Sequence, residues 1–302
     1  MAAGLGAVVC WAVSPIAVRF FSGSYGVLVQ AFWRYLLSLA VLWISSAASL
    51  GPARFPQAVR RLAAHWPKIL LIALANYAFQ VFFNLALYRL HAGMATLLNQ
   101  STVLFGALFA AVFFADERAV LCRPGFAAGL AMSLAGVSLT IIGQKGLSAA
   151  QLGVGVLAML AASASWALMG ALIRLWLSDV PATLAVSAVF TIVTPAFLVT
   201  VLLGAGGPLV PAVGARMWLL LAASSLVGLG LAYPLYYGSL PRLGLALASS
   251  LGLLIPLLVG VFSTLVLGER LSLLQLVGAL LLLPGCWFII RARFRAPPRT
   301  AA

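Results

Sequence analysis

Carboxylates are almost missing from this chain. Of its 302 residues four are acidic, Asp116, Glu117, Asp179 and Glu269, and two are histidine, His65 and His91. All six stand between long apolar runs or at their ends. A proton-coupled carrier keeps a group that loses and regains its charge inside the membrane, and no acid or histidine is placed for that role. Metal or hydrolytic chemistry would need clustered carboxylates, or a nucleophile with its base; Ser224-Ser225 has no base near it in sequence. The cysteines Cys10, Cys122 and Cys286 lie in or beside apolar runs without metal-ligand spacing. They read as small buried hydrophobes, not as a disulfide framework. No catalytic residue, no metal and no cofactor are expected. Charge of both signs is scarce, at 7% of residues, which excludes a soluble domain, whose surface carries far more.

What the chain has instead is apolar length. Hydrophobic residues make up 64% of it and fall in ten runs, at 4–21, 26–48, 67–90, 94–115, 125–143, 152–176, 181–204, 216–239, 245–267 and 272–290. Runs of about twenty residues cross a hydrocarbon core of ~30 Å. The class is therefore an all-α polytopic membrane protein with ten transmembrane helices. The first run has no basic leader and no clear cleavage site, and is expected to be a true first helix. The net charge of +14 falls in the range of nucleic-acid binders. However, the basic residues stand singly in short loops and at the C-terminal end, the pattern of the positive-inside rule, so no nucleic-acid partner is expected. Ten spans put both termini on one face, which holds twelve of the eighteen Lys and Arg residues against five on the other. Both termini are expected in the cytoplasm, with residues 293–302 as a basic tail.

The chain also repeats itself. Trp11 and Arg19 match Trp166 and Arg174 at an offset of 155, Arg89 matches Arg242 at 153, and Glu117-Arg118 matches Glu269-Arg270 at 152. Each half holds five spans, an odd number, so the second copy enters the membrane from the opposite face. Two inverted five-helix repeats, 1–146 and 147–292, are expected around a central cavity, the architecture associated with alternating access.

Five spans plus five, Trp11 and Trp166 near the middle of helices 1 and 6, and acid-ended fourth and ninth helices resemble the drug/metabolite transporter superfamily. The resemblance is to its two-repeat (EamA-like) membrane domain, over roughly residues 4–290. Within it the chain looks similar to the amino-acid exporter branch. This resemblance implies a cavity lined by helices 1, 3, 4, 6, 8 and 9, and efflux of amino acids or similar metabolites across the cell (inner) membrane. The partners implied are a small-molecule substrate and the lipid bilayer, with no oligomer required. Members often carry a proline midway through helix 4, as Pro256 stands in helix 9; here Leu104 takes that place, after Asn99-Gln100-Ser101-Thr102. Helix 9 is thus expected to bend more readily than helix 4.

Polar side chains inside a membrane face a cavity or a neighbouring helix. Asn76, Gln80 and Asn84 recur at helical spacing with Tyr77 beside them, and the repeat partners of Gln80 and Asn84 are Tyr233 and Tyr237. Asn99 enters helix 4 from the outer side. Amides and hydroxyls suit the termini of a small zwitterion, and flat aromatic walls suit its body. The candidate substrate-binding set is Trp11, Tyr77, Gln80, Asn84, Asn99, Trp166, Tyr233 and Tyr237. Each also has a plainer reading: amides bonding the next helix, Trp packing, belt tyrosines at the membrane interface. Gly106 with Ala110, and Ser249, Gly252, Pro256 and Gly260 in helix 9, read as close helix contacts. Glu117 and Glu269 are expected to pair with their neighbours Arg118 and Arg270. Arg34, a charge inside helix 2, is expected to snorkel outward, to bind carbonyls at a helix end, or to meet the substrate. Nucleotide sugars would want more cations in the cavity and cationic drugs a buried acid, so a neutral or zwitterionic substrate, carried without obligatory proton coupling, is favoured. Multidrug or nucleotide-sugar-like efflux by the same fold is the alternative, and an intramembrane enzyme a remote one.

Overall fold

The computed structural model describes residues 1–144, 146–204 and 206–294, with the backbone alone at Asp116 and at residues 240–242, 244–249, 293 and 294. Lys145, the tail beyond 294 and the side chains of Asp116, Arg242 and Ser249 therefore lie outside the described residues. Lipid offers no partner for backbone N–H and C=O groups, so a chain this apolar closes its hydrogen bonds within helices. Among the described residues ten helices are long and apolar enough to span: α1 (Ala2–Phe21), α2 (Val27–Ala63), α3 (Trp66–Arg89), α4 (Ala92–Phe113), α5 (Pro124–Ile142), α6 (Ala149–Trp176), α7 (Ala182–Leu202), α8 (Ala215–Ser239), α9 (Ser250–Leu267) and α10 (Leu273–Ala292).

Two connections differ from expectation. The stretch 49–66 is largely helical: α2 kinks at Gly51, whose φ of 73° is open to glycine, and continues through Pro52 and Pro56 to Ala63. Between α8 and α9 the backbone stays helical across Pro241-Arg242, where a loop was expected.

The principal contacts run between the halves and not within them. α3 packs on α6, α2 on α7, α5 on α10, and α1 on α8 and α9, while α4 is shared between α6 and α9. Side-chain joints hold these pairs. Tyr35 stacks on Phe190 at 4.0 Å, and Ser46 meets Ser187 at 3.0 Å across α2 and α7. α5 and α10 approach closely enough for backbone contact. A Cβ on Gly136 would lie 2.6 Å from the Gly278 carbonyl, and one on Gly129 2.7 Å from the Gly285 carbonyl. The two helices run antiparallel, so the two glycine pairs face each other one above the next. Small residues serve here as the means of close approach, since apolar attraction between helices is weak in lipid. The expected small-residue contacts in α4 and α9 are absent at Gly106 and Gly252, which have open space where a Cβ would stand.

Both α4 and α9 are broken at one register. α4 is interrupted at Gln100, between Ala92–Asn99 and Ser101–Phe113, and α9 at Leu253-Leu254, ahead of Ile255–Leu267. The offset from Gln100 to Leu253 is 153, that of the repeat. α9 restarts with Pro256 in its first turn, where a missing N–H costs nothing. α4 achieves the same without proline: Ser163 Oγ donates to the Asn99 carbonyl at 3.3 Å, and Val103 N–H turns to the Gln100 carbonyl at 2.9 Å. α4 is thus interrupted at the register of the α9 break although it lacks the proline on which α9 was expected to bend more readily. α8 carries a further irregularity, a π-helical turn at Leu226–Leu231, of the kind found where a helix is opened locally.

Gly136→Ala is expected to destabilise the fold by about 1–3 kcal/mol, the usual cost of overpacking. A clear fall in thermal midpoint in detergent checks it. Gly153→Ala, whose new Cβ meets open space, should leave that midpoint unchanged or raise it.

Candidate functional site

A cavity of about 540 Å³ lies at the centre, between α1, α3, α4, α6, α8 and α9, with Ile289 and Ile290 of α10 at one side. Its floor is aromatic. Tyr233 sits between the two repeat-related tryptophans, 5.7 Å from Trp11 in an edge-on contact and 6.2 Å from Trp166. Phe79 covers the other side of Trp166 at 4.7 Å, and Tyr236 that of Trp11 at 4.8 Å. The uncharged amides and aliphatic hydroxyls come from α1, α3 and α4, namely Ser14, Gln80, Thr96, Asn99, Gln100 and Thr102, and α6 adds Arg174. The break in α4 brings Asn99, Gln100 and Thr102 to the wall together. Pro15 has no N–H to give the carbonyl of Trp11, which leaves that carbonyl without its helical donor beside the cavity.

Of the candidate substrate-binding residues, Trp11, Gln80, Asn99, Trp166 and Tyr233 line this cavity. Tyr77, Asn84 and Tyr237 are not part of its wall. Tyr77 turns to α7, donating to Thr200 Oγ1 at 3.2 Å and packing on Phe197 at 4.7 Å. Asn84 is buried, its Oδ1 without a partner. Tyr237 stacks behind Tyr233 at 6.3 Å. Asn76, on the same stripe as Gln80, is a joint between three helices, accepting from Tyr35 OH at 2.7 Å and reaching Met169 Sδ at 3.3 Å. Helical spacing placed these side chains on one stripe; how α3 is rotated against α6 and α7 decides which of them meets the cavity. Tyr236, which was not among the candidate residues, is in the wall.

The acids at the helix ends are paired across the halves. Glu269, at the end of α9, meets Arg19 of α1 at 3.1 Å, not its neighbour Arg270. Glu117, in the short 3₁₀ turn after α4, pairs with Arg174 of α6. The residues matched by the repeat, Arg19 with Arg174 and Glu269 with Glu117, thus form two equivalent pairs at opposite ends of the molecule. At the face opposite the termini the pair is elaborate. Arg19 also donates to the carbonyls of Leu87 and Tyr88 at the end of α3, and Glu269 Oε2 accepts the Ala92 N–H that begins α4. One ion pair thereby ties α1, α3, α4 and α9 together, with charges matched to the helix dipoles. At the face bearing the termini, Arg174 lies over the Phe114 ring at 4.1 Å and is part of the cavity wall. This side is more open, with the Arg174 side chain 45% exposed against 24% for Arg19.

Arg34 does not snorkel. It is 2% exposed, and its guanidinium reaches Ser14 Oγ at 2.5 Å. Among the described residues no group of three or more His, Cys, Asp or Glu is placed to hold a metal ion.

The model of the EamA-like transporter family matches the chain twice, over residues 1–142 and 153–291. A solved structure described as "Crystal structure of protein" superposes with a TM-score of 0.68, covering 98% of this chain and 98% of its own at 19% identity, a likeness of fold. No curated protein matches.

Replacing Trp166 by Ala is expected to remove one aromatic wall and lower substrate exchange about fivefold, an aromatic contact being worth ~1 kcal/mol beyond its burial. The folded, monodisperse protein should persist. Exchange into proteoliposomes, with gel filtration as the control, checks both.

Proposed function

Because the chain belongs to the EamA-like transporter family, a family of multi-pass membrane transporters, we propose that it exports small neutral or zwitterionic metabolites by alternating access. Amino acids with apolar or aromatic side chains come first among them. The observation that carries this reading is the cavity's make-up: two tryptophans and a tyrosine frame it, amides from Gln80 and Asn99 enter it, and no described lining residue is an acid. Aromatic faces suit an apolar side chain, and the amide oxygens, with the freed Trp11 carbonyl, suit an ammonium group. The second segments of α4 and α9 both begin at the cavity, so their positive dipole ends favour a carboxylate there.

The crossed ion pairs support alternation. A substrate leaving on the side opposite the termini passes between Arg19 and Glu269; one arriving at the termini face passes Arg174 and Glu117. Opening one end costs that pair while the equivalent pair still holds the other, a two-state arrangement of the kind an inverted repeat supplies. We place the termini in the cytoplasm and the protein in the cell (inner) membrane, on the excess of basic residues at that face. With no acid or histidine inside a span, transport is facilitative in this reading.

Counterflow of the twenty amino acids in proteoliposomes tests the proposal. Accelerated exchange is expected for leucine- and phenylalanine-like substrates without an imposed pH gradient. No exchange of any amino acid would remove the substrate class, and strict dependence on a pH gradient would remove the facilitative mode. The gate has its own test. Arg174→Glu is expected to slow exchange about tenfold, and adding Glu117→Arg to restore it to within about threefold, the non-additivity of a directly coupled pair. Simply additive losses would count against the gate.

A further inference from the structure

Arg19 illustrates a structural arginine in this fold, with an acid and two carbonyls as its partners. Arg34 is different. It lies in the membrane part of α2, is 2% exposed, and takes part in neither ion pair of the described residues. Among the described residues its guanidinium makes one hydrogen bond, from Nη2 to Ser14 Oγ, and its Nε is buried without a partner. A lone charge inside a membrane is costly, and a buried donor left unmade adds to that cost. A residue serving only as a joint would be satisfied by the helices around it, as Arg19 is.

The surroundings point toward the cavity. Ser14 is part of the cavity wall, so the guanidinium stands one side chain behind it. Ser14 accepts from Arg34, and no hydrogen bond donated by its own hydroxyl occurs among the described residues, so that proton is free for an acceptor in the cavity. On the other flank is Gly228, within the π-helical turn of α8. A Cβ there would lie 3.4 Å from Arg34 Nη2 and 3.1 Å from Ser14 Cβ. Glycine at this point keeps the gap beside the guanidinium clear.

We propose that Arg34, acting with Ser14, is the counter-ion for a carboxylate on the transported molecule, so that the cavity selects monocarboxylates over their amides and over plain amines. This rests on reading the cavity as the substrate site and deepens it. A carboxylate oxygen accepts the Ser14 hydroxyl proton, and the charged guanidinium behind it strengthens that bond; where the gap admits it, the second oxygen takes Arg34 N–H directly.

The experiment is leucine counterflow in proteoliposomes with leucine, leucinamide, 4-methylpentanoate and 3-methylbutylamine as competitors, on the wild-type chain and on Arg34→Gln, Arg34→Lys and Ser14→Ala. Wild type is expected to favour the two carboxylates by about tenfold or more, the scale of one charge-assisted hydrogen bond. Arg34→Gln should erase that preference, Arg34→Lys should keep most of it, and Ser14→Ala should weaken both carboxylates alike. A folded Arg34→Gln protein that still prefers leucine over leucinamide overturns the proposal, and so does a wild type that never made the distinction. If Arg34→Gln does not fold, Ser14→Ala decides, and unchanged carboxylate affinity in it is the overturning result. Should no amino acid be exchanged at all, the amino-acid reading falls and the same panel is followed by tryptophan quenching in the purified protein. Binding of 4-methylpentanoate that is lost in the Arg34 or Ser14 variant then upholds the counter-ion, and no binding of it overturns that as well.

Discussion

The acid that ends the fourth helix of each repeat is met by the arginine near the end of the first helix of the other. This exchange of partners sets most of what surrounds it. It brings α1 against α9 and α6 against α4, which fixes the two ends of the cavity, and it spends two of the four carboxylates in the chain on opposite membrane faces. The pairs are equivalent by sequence but unequal in their surroundings. Arg19 and Glu269 also satisfy backbone groups of α3 and α4, whereas Arg174 leans on an aromatic ring beside the cavity. An ion pair at an aqueous boundary is worth little by itself; one that also completes two helix ends is far harder to separate. The ion pair at the face opposite the termini is accordingly the more tightly held, and the arginine of the pair at the face that bears them the more exposed.

Equivalence of plan with difference of means recurs at the helix breaks. α9 uses Pro256, while α4 hands the Asn99 carbonyl to a serine of α6. Both expose helix ends at mid-membrane. However, the α4 break also brings three polar side chains to the wall, where the α9 break brings Gly252 and Ile255. The cavity is thus polar on one side and apolar on the other, suited to a molecule with one charged end and one greasy end.

Much of this was legible in the sequence. Hydropathy is a sum over twenty neighbouring residues, so span number, alternation of direction and the five-plus-five division survive without knowledge of any contact. The tryptophans were legible because mid-span Trp has no interfacial role. What failed depended on how separate helices are rotated and which ends meet. Glu269 and Glu117 have arginines adjacent in sequence, and nothing local indicates that the useful ones stand on the first helix of the other repeat. Asn76, Gln80 and Asn84 share one stripe, yet one is a joint, one faces the cavity and one is buried outside its wall. Among 28 glycines, those that touch backbone across α5 and α10 carry no mark but spacing, while Gly106 and Gly252, two of the small residues singled out in α4 and α9, border open space.

The pairing of every principal helix with one from the opposite half bears on how the protein is made. The first five helices leave the ribosome before any of their partners exists. Until α6 to α10 follow, the groove side of α3 with its amides, the glycine face of α5 and the charge of Arg34 stand toward lipid or toward whatever the insertion machinery provides. Synthesis therefore passes through a half-built state whose polar surface is unfinished, and the membrane protein becomes self-sufficient only when α10 settles against α5.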